Sequence, residues 1–195
     1  MPDAPPTIVV LGGPNGAGKS TAAPFLIPEA LGIAHYINAD AIARGISPFA
    51  PESVAVLAGR VMLRRMNELA ASRENFAFES TLAGRGMAQW LKKRIEEGYR
   101  IRLAFLWIAN ADLAVQRVAT RVREGGHDIA EPVIRRRYAN GVRNLHRVYL
   151  PIAADWQVYN NSGLEPTLVA AGGMSRLTTI AEAATWSLIR SGANA

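Results

Sequence analysis

The chain contains no cysteine, which excludes disulfides and thiolate-held metals and fits a cytoplasmic protein. Histidine is scarce and scattered, with three in 195 residues, so a transition-metal centre is not expected. Aromatic residues make up 7% and do not interleave with basic ones, as they would on a nucleic-acid surface. No apolar run approaches the roughly 18 residues of a membrane span. The opening Met1-Pro2-Asp3-Ala4-Pro5-Pro6 has no basic stretch followed by an apolar one, so no signal peptide is expected. Repeats, low-complexity tracts and linkers are also missing. These absences leave one domain spanning 1–195, with residues 1–6 expected to be flexible and the rest long enough to bury a sizeable core.

What the chain does have is Gly13-Pro14-Asn15-Gly16-Ala17-Gly18-Lys19-Ser20-Thr21, a full match to the phosphate-binding pattern G-x-x-x-x-G-K-[ST]. Its glycines allow backbone N–H groups to face a polyphosphate. Lys19 would sit on the terminal phosphates, and the Ser20 hydroxyl would bind Mg²⁺. The apolar run Thr7–Leu11 precedes it as a buried strand. A helix over Ala22–Ala30 follows, and its dipole would add to the site.

Short apolar runs alternate with helical patterns along the rest of the chain. That predicts an α/β fold, a P-loop NTPase three-layer arrangement of a mostly parallel sheet flanked by helices. Strands are expected at Ala34–Asn38, Phe76–Thr81, Arg102–Ala109 (the most continuous and so central), Trp156–Asn160 and Pro166–Ala170. Helices are expected over Pro51–Arg73, Gly86–Glu97, Ala111–Glu124 and Pro132–Tyr149, with a last one capped by Ser175 and running to Arg190. Ligands of such sheets bind at the carboxyl ends of strands, where the P-loop, Asp40 and Glu79-Ser80-Thr81 all fall.

Charge is concentrated. Eight arginines and no lysine lie between Arg117 and Arg147, opposed only by Glu124, Asp128 and Glu131. Beside a P-loop, such a window suggests an arginine-rich lid over phosphates, with Arg121, Arg123, Arg136 and Arg137 as clamp candidates hinged near Gly125-Gly126. His127 reads as a structural or hinge residue. A solvated helix face and a nucleic-acid surface are the other readings of the window. The GTPase motif N-K-x-D is absent, and the strand that would carry an ATPase's acidic end finishes Ile108-Ala109-Asn110. A small kinase remains. Asp40 is placed either to deprotonate an acceptor hydroxyl or simply to cap the helix that follows it. Glu79 is placed either to hold the acceptor or to pair with an arginine.

Several separated stretches together resemble the zeta-toxin family of P-loop kinases. They are Gly12–Thr21, Asn38-Ala39-Asp40-Ala41-Ile42-Ala43, Ser47-Pro48-Phe49-Ala50-Pro51-Glu52, Phe78–Gly84, Arg121–Ile129, Arg135-Arg136-Arg137-Tyr138 and the segment around Tyr149-Leu150-Pro151. The resemblance implies an ATP- and Mg²⁺-dependent phosphotransferase acting on an alcohol group, with UDP-N-acetylglucosamine or a similar nucleotide sugar as acceptor and an antitoxin as a candidate protein partner. It implies Lys19 and Ser20 on ATP and Mg²⁺, Asp40 as base, and Glu79 and Thr81 in the substrate pocket. One arginine of Arg121–Arg123 and one of Arg135–Arg137 would lie on the transferring phosphate. The chain matches the compact chromosomal members, whose substrates need not be that sugar, and Ser80 stands where the family commonly has Thr. The alternative from another class is a nucleic-acid-binding or polynucleotide end-modifying P-loop kinase.

Overall fold

In the computed structural model, which describes residues 4–27, 33–126, 128–174 and 176–192, the expected layers form around a seven-stranded sheet. The strands are β1 (Thr7–Gly12), β2 (His35–Ile37), β3 (Phe76–Ser80), β4 (Arg100–Trp107), β5 (Asp155–Asn160), β6 (Thr167–Gly173) and β7 (Arg176–Ile180), in the spatial order 2-3-1-4-5-6-7. The first five are parallel, and β6 and β7 extend the sheet antiparallel. β4 is the central strand of the seven, as its unbroken apolar run predicts.

The helices are α1 (Lys19–Leu26), α2 (Ala39–Ile46), α3 (Ala55–Ala71), α4 (Gly86–Glu96), α5 (Ala111–Arg123), α6 (Glu131–Asn144) and α7 (Ala183–Gly192). Side chains of β1 and β4 alternate between two cores. Ile8, Val10, Ile101, Leu103 and Phe105 pack with Met62, Met66 and Leu91 on one face. Leu11, Ala104 and Leu106 pack with Ala22, Ala114, Val118 and Ile134 on the other. The two-residue period of the strands thus meets helices on both sides.

Topology makes the crevice. From β1 the chain crosses to β2 and β3 on one side, then returns past β1 to β4 on the other. The connections therefore diverge at the carboxyl end of β1, the switch point where such sheets bind ligands. Register keeps the neighbouring ends level, because Gly12 lies opposite both Ser80 and Phe105.

Several element boundaries differ from expectation. Pro51–Val54 forms a 3₁₀ turn before α3. Past α6 the helix widens into a π turn over Leu145–Tyr149 and ends in a 3₁₀ turn over Leu150–Ile152. The last helix does not begin near residue 175. Thr178, Thr179 and Ile180 are β-branched and pair with β6 as β7, with Ala170 opposite Ile180, and α7 starts only at Ala183. Ser175, His127 and the 28–30 end of the first expected helix lie outside the described residues, as do residues 1–3 of the N-terminal segment. Pro6, expected to be flexible, is buried, and its carbonyl accepts from Arg100 N.

The π turn places His146 against Trp186 at 5.0 Å, and Trp186 stacks on Trp156 at 5.7 Å. Burial, and secondarily the Arg190 charge, push the His146 imidazole down to about 4. The folded protein therefore binds fewer protons than the unfolded chain between about pH 4 and 6.5. This contribution is complete above about pH 6.5, is lost as pH falls, and levels off below about 4. Discounted for the partial solvent contact of His146, the expected loss is about 2 kcal/mol. Urea unfolding at pH 7 and 4.5 measures it, and the His146→Phe variant should show a correspondingly flatter pH dependence.

Candidate active site

The P-loop leaves β1 at Gly12 and closes at Lys19. Gly13 has φ 148°, and a Cβ there would stand 2.5 Å from the Leu106 carbonyl oxygen, so only glycine lets the loop cross β4 this closely. Gly18, at φ 79°, forms the left-handed entry to α1, where a Cβ would meet the Asn161 amide at 2.7 Å. That amide donates to the Ala17 carbonyl at 2.8 Å. Arg117, from α5, donates to the carbonyls of Asn161 and Ser162 at 2.7 and 3.0 Å and so holds the turn after β5 against the loop. Neither Asn161 nor Arg117 stood out as a site residue in the sequence.

The Lys19 ammonium donates to the Gly13 and Pro14 carbonyls, both at 2.9 Å. Burial lowers its pKa, while the Glu79 and Asp40 carboxylates pull it back up. The Arg121 and Arg137 guanidinia add to the lowering, and the net shift is downward.

Asn38 resolves one ambiguity. Its Oδ1 accepts from the N–H groups of Asp40 and Ala41 at 2.8 and 3.1 Å and caps α2, while its Nδ2 donates to the Ser20 hydroxyl at 3.2 Å. Asn38, not Asp40, is the cap. The Asp40 carboxylate instead lines the cleft, with Oδ2 3.9 Å from Arg121 Nη1. The signal was present in the sequence, since Asn is a strong N-cap and stands just before the helix.

The cleft has a volume of about 460 Å³, and Lys19, Ser20, Asp40, Arg44, Glu79 and Arg121 are among its lining residues. Glu79 is oriented by Tyr36 on the neighbouring strand β2, whose hydroxyl donates to Glu79 Oε1. Burial first, and then this bond, hold the Tyr36 proton far more tightly than in a free tyrosine. Tyr36→Phe would free Glu79 to swing. The expected result is a roughly tenfold lower kcat/KM for the acceptor at unchanged KM for ATP, the scale of one hydrogen bond to a charged group. Steady-state kinetics varying each substrate in turn check it.

The arginines separate. Arg121 faces the cleft, and Arg123 is exposed and donates to Thr120 Oγ1. Arg135 pairs with Asp112 and Glu131 on the surface, and Arg136 is exposed. Arg137 turns inward and donates to the P-loop Asn15 Oδ1 at 3.4 Å. α6 is fixed for this by Tyr138, which donates to the Ile108 carbonyl, and by Asn144, which donates to the carbonyls of Leu82 and Ala83. Gly125 and Gly126 line the cleft beneath Arg121. Thr81 lies past the end of β3 with its carbonyl against Gly141 and is not part of the lining.

A family model described as zeta toxin matches residues 1–165. The chain belongs to the zeta toxin family. An uncharacterized protein of Haemophilus influenzae is 34% identical over 126 residues, spanning 65% of this chain and 88% of that protein. Among solved structures, a chain of the AvrRxo1-ORF1:-ORF2 complex with ATP aligns at TM-score 0.78 and 17% identity, over 96% of this chain and 64% of its own. This zeta toxin family member therefore spans just under two thirds of that neighbour. A chain of the PezAT chromosomal toxin–antitoxin system of Streptococcus pneumoniae aligns at TM-score 0.66 and 20% identity, over 100% of this chain and 87% of its own. At these identities the two structures establish the shared α/β P-loop fold. Among the described residues, no single helix is long and apolar enough to cross a membrane.

Proposed function

We propose that the chain is an ATP-dependent phosphotransferase that moves the γ-phosphate to a hydroxyl of a nucleotide-activated sugar. The observation that carries this is a carboxylate, Asp40, released from helix capping and facing the same cleft as Lys19 and Arg121. Family membership and the ATP named for the AvrRxo1 complex support the donor. The nucleotide-sugar acceptor rests on the family resemblance. A protein partner of antitoxin type is supported by the toxin–antitoxin system named for the PezAT neighbour.

In this reading the acceptor oxygen attacks the γ-phosphorus as the bond to the β-phosphate oxygen breaks, ADP leaves, and the acceptor proton passes to Asp40. Lys19 holds the β- and γ-phosphates. Arg121, and Arg137 beside Asn15, stabilise charge spreading over the transferring group. Glu79, held by Tyr36, orients the acceptor. The Ser20 hydroxyl, with the Glu79 carboxylate in the same cleft, offers hard oxygen donors of the kind Mg²⁺ takes, and the ion would supply further neutralisation of phosphate charge.

The experiment incubates the protein with Mg-ATP and a panel of UDP-sugars, free sugars and a short RNA, and follows phosphate transfer by mass, with Lys19→Ala as blank. Transfer to a UDP-sugar is the expected result. Transfer to the RNA alone would replace this reading with polynucleotide end modification.

A further inference from the structure

A second cavity, of about 320 Å³, lies where α7 and β7 meet the turns that follow α6. His146, Leu150, Trp156, Leu177, Trp186 and Arg190 are among its lining residues, and none of them lines the P-loop cleft. Leu150, Trp156 and Trp186 belong to the core that holds Met62 and Leu91. The apolar residues of α1 and α5, whose polar ends wall the cleft, pack on the other face of the sheet. Three of the lining rings form a series. The indoles of Trp156 and Trp186 stack within 15° of parallel, and His146 leans on Trp186. His146 reaches that place only through the π turn, a rare departure from α-helix that is frequent at functional sites. The cluster is short of hydrogen-bond partners. Trp156 and Trp186 are buried, yet their indole N–H groups, like His146 Nε2, have no partner among the described residues. A buried indole N–H usually finds one. Arg190 follows Trp186 by one helical turn and shares its face of α7. It is exposed, and among the described residues no carboxylate or carbonyl takes its guanidinium. No acidic residue stands in the described lining.

We propose that this cavity is a binding site for a small aromatic carboxylate, its ring against the indole cluster and its carboxylate on Arg190. Aromatic rings pack offset or edge-on against one another, so a lining of stacked indoles favours a flat apolar body over a sugar. The planar guanidinium takes a carboxylate in a two-pronged contact. A single cation, with no lysine and no glycine-rich loop beside it, suits one negative charge rather than a polyphosphate. The volume lies at the small end of ligand sites, which leaves room for one or two rings. The lining thus has what such a molecule needs, an apolar wall and a charged donor, and lacks the acceptor that the molecule brings. The site stands apart from the phosphotransferase reading and does not depend on it.

The test is calorimetry on the full chain with benzoate and indole-3-acetate, each against its neutral amide, and with hexanoate and inorganic phosphate as anions without a ring. At least one aromatic carboxylate is expected to bind tenfold or more tighter than its amide, the scale of a hydrogen bond to a charged group, and tighter than either ringless anion. Arg190→Gln should erase the preference over the amide, and Arg190→Lys should restore part of it. Trp186→Phe should weaken the aromatic probes and leave phosphate unchanged. Lys19→Ala, which strips the P-loop of its cation, should leave the aromatic carboxylate bound as in wild type. Three results would each overturn the proposal. They are no preference for the carboxylate in the wild type, a preference that survives Arg190→Gln, and binding that is lost in Lys19→Ala. Phosphate or hexanoate bound as tightly as the aromatic probes would equally remove the aromatic carboxylate as the ligand class.

Discussion

Asp40→Asn is expected to lower phosphate transfer by about a hundredfold to ten-thousandfold while ATP still binds. The substitution keeps the shape of the side chain and removes its charge and its basicity. General-base assistance contributes about 10²- to 10⁴-fold, and the loss should fall in kcat. The structure makes the experiment clean because α2 is capped by Asn38 and does not depend on Asp40. Asn38→Ala is the contrasting variant. It removes the cap and the contact to Ser20 and should cost about 1 kcal/mol of stability. Rapid-quench kinetics with equilibrium ATP binding on both variants separate the two effects. Transfer by Asp40→Asn within tenfold of wild type would remove Asp40 as base.

The P-loop and the strand ends around it were legible because each carries a local signal. The pattern at Gly13–Ser20 needs no tertiary information, and β1 and β4 are apolar enough to announce burial on both faces. The arginines were legible as a group and ambiguous one by one. A helix turns about 100° per residue, so adjacent arginines point to different surroundings. In α6, Ile134 and Val142 are buried, and Arg137, three residues past Ile134, shares that side while Arg136 points away. In α5, Ala114 and Val118 mark the buried side, and Arg121 follows it where Arg123 does not. The apolar phase was therefore in the sequence and would have separated them.

Other contacts had no local signal. Tyr36 meets Glu79 across 43 residues, and Asn161 meets Ala17 across 144. Both pairs exist only because parallel strands bring distant chain ends level. β7 escaped for another reason. All five of its residues are exposed, so it lacks the buried alternation by which strands are read, and pairing to β6 alone defines it.

The same geometry predicts that Arg121→Gln lowers kcat about a thousandfold with little change in KM for ATP, whereas Arg123→Gln stays within about threefold of wild type. An arginine acting on the transferring phosphoryl group contributes on the order of 10³- to 10⁵-fold. Only Arg121 of this pair lines the cleft, where its guanidinium stands 3.9 Å from Asp40. Its side chain is partly exposed to the cleft, within reach of a phosphate oxygen bound there. Arg123 is exposed and bonded to Thr120 on its own helix, so its loss touches only the surface. Gly125-Gly126 closes the argument. Gly126 N donates to the Arg121 carbonyl at 2.8 Å, and a Cβ at Gly126 would stand 2.5 Å from Arg121 Cγ. Gly126→Ala should therefore displace Arg121 and reproduce much of the Arg121→Gln defect with the arginine still present. Single-turnover measurements on the three variants decide it. Equal losses for Arg121→Gln and Arg123→Gln would show that the clamp moves as a whole and that neither guanidinium has a fixed place on the phosphate.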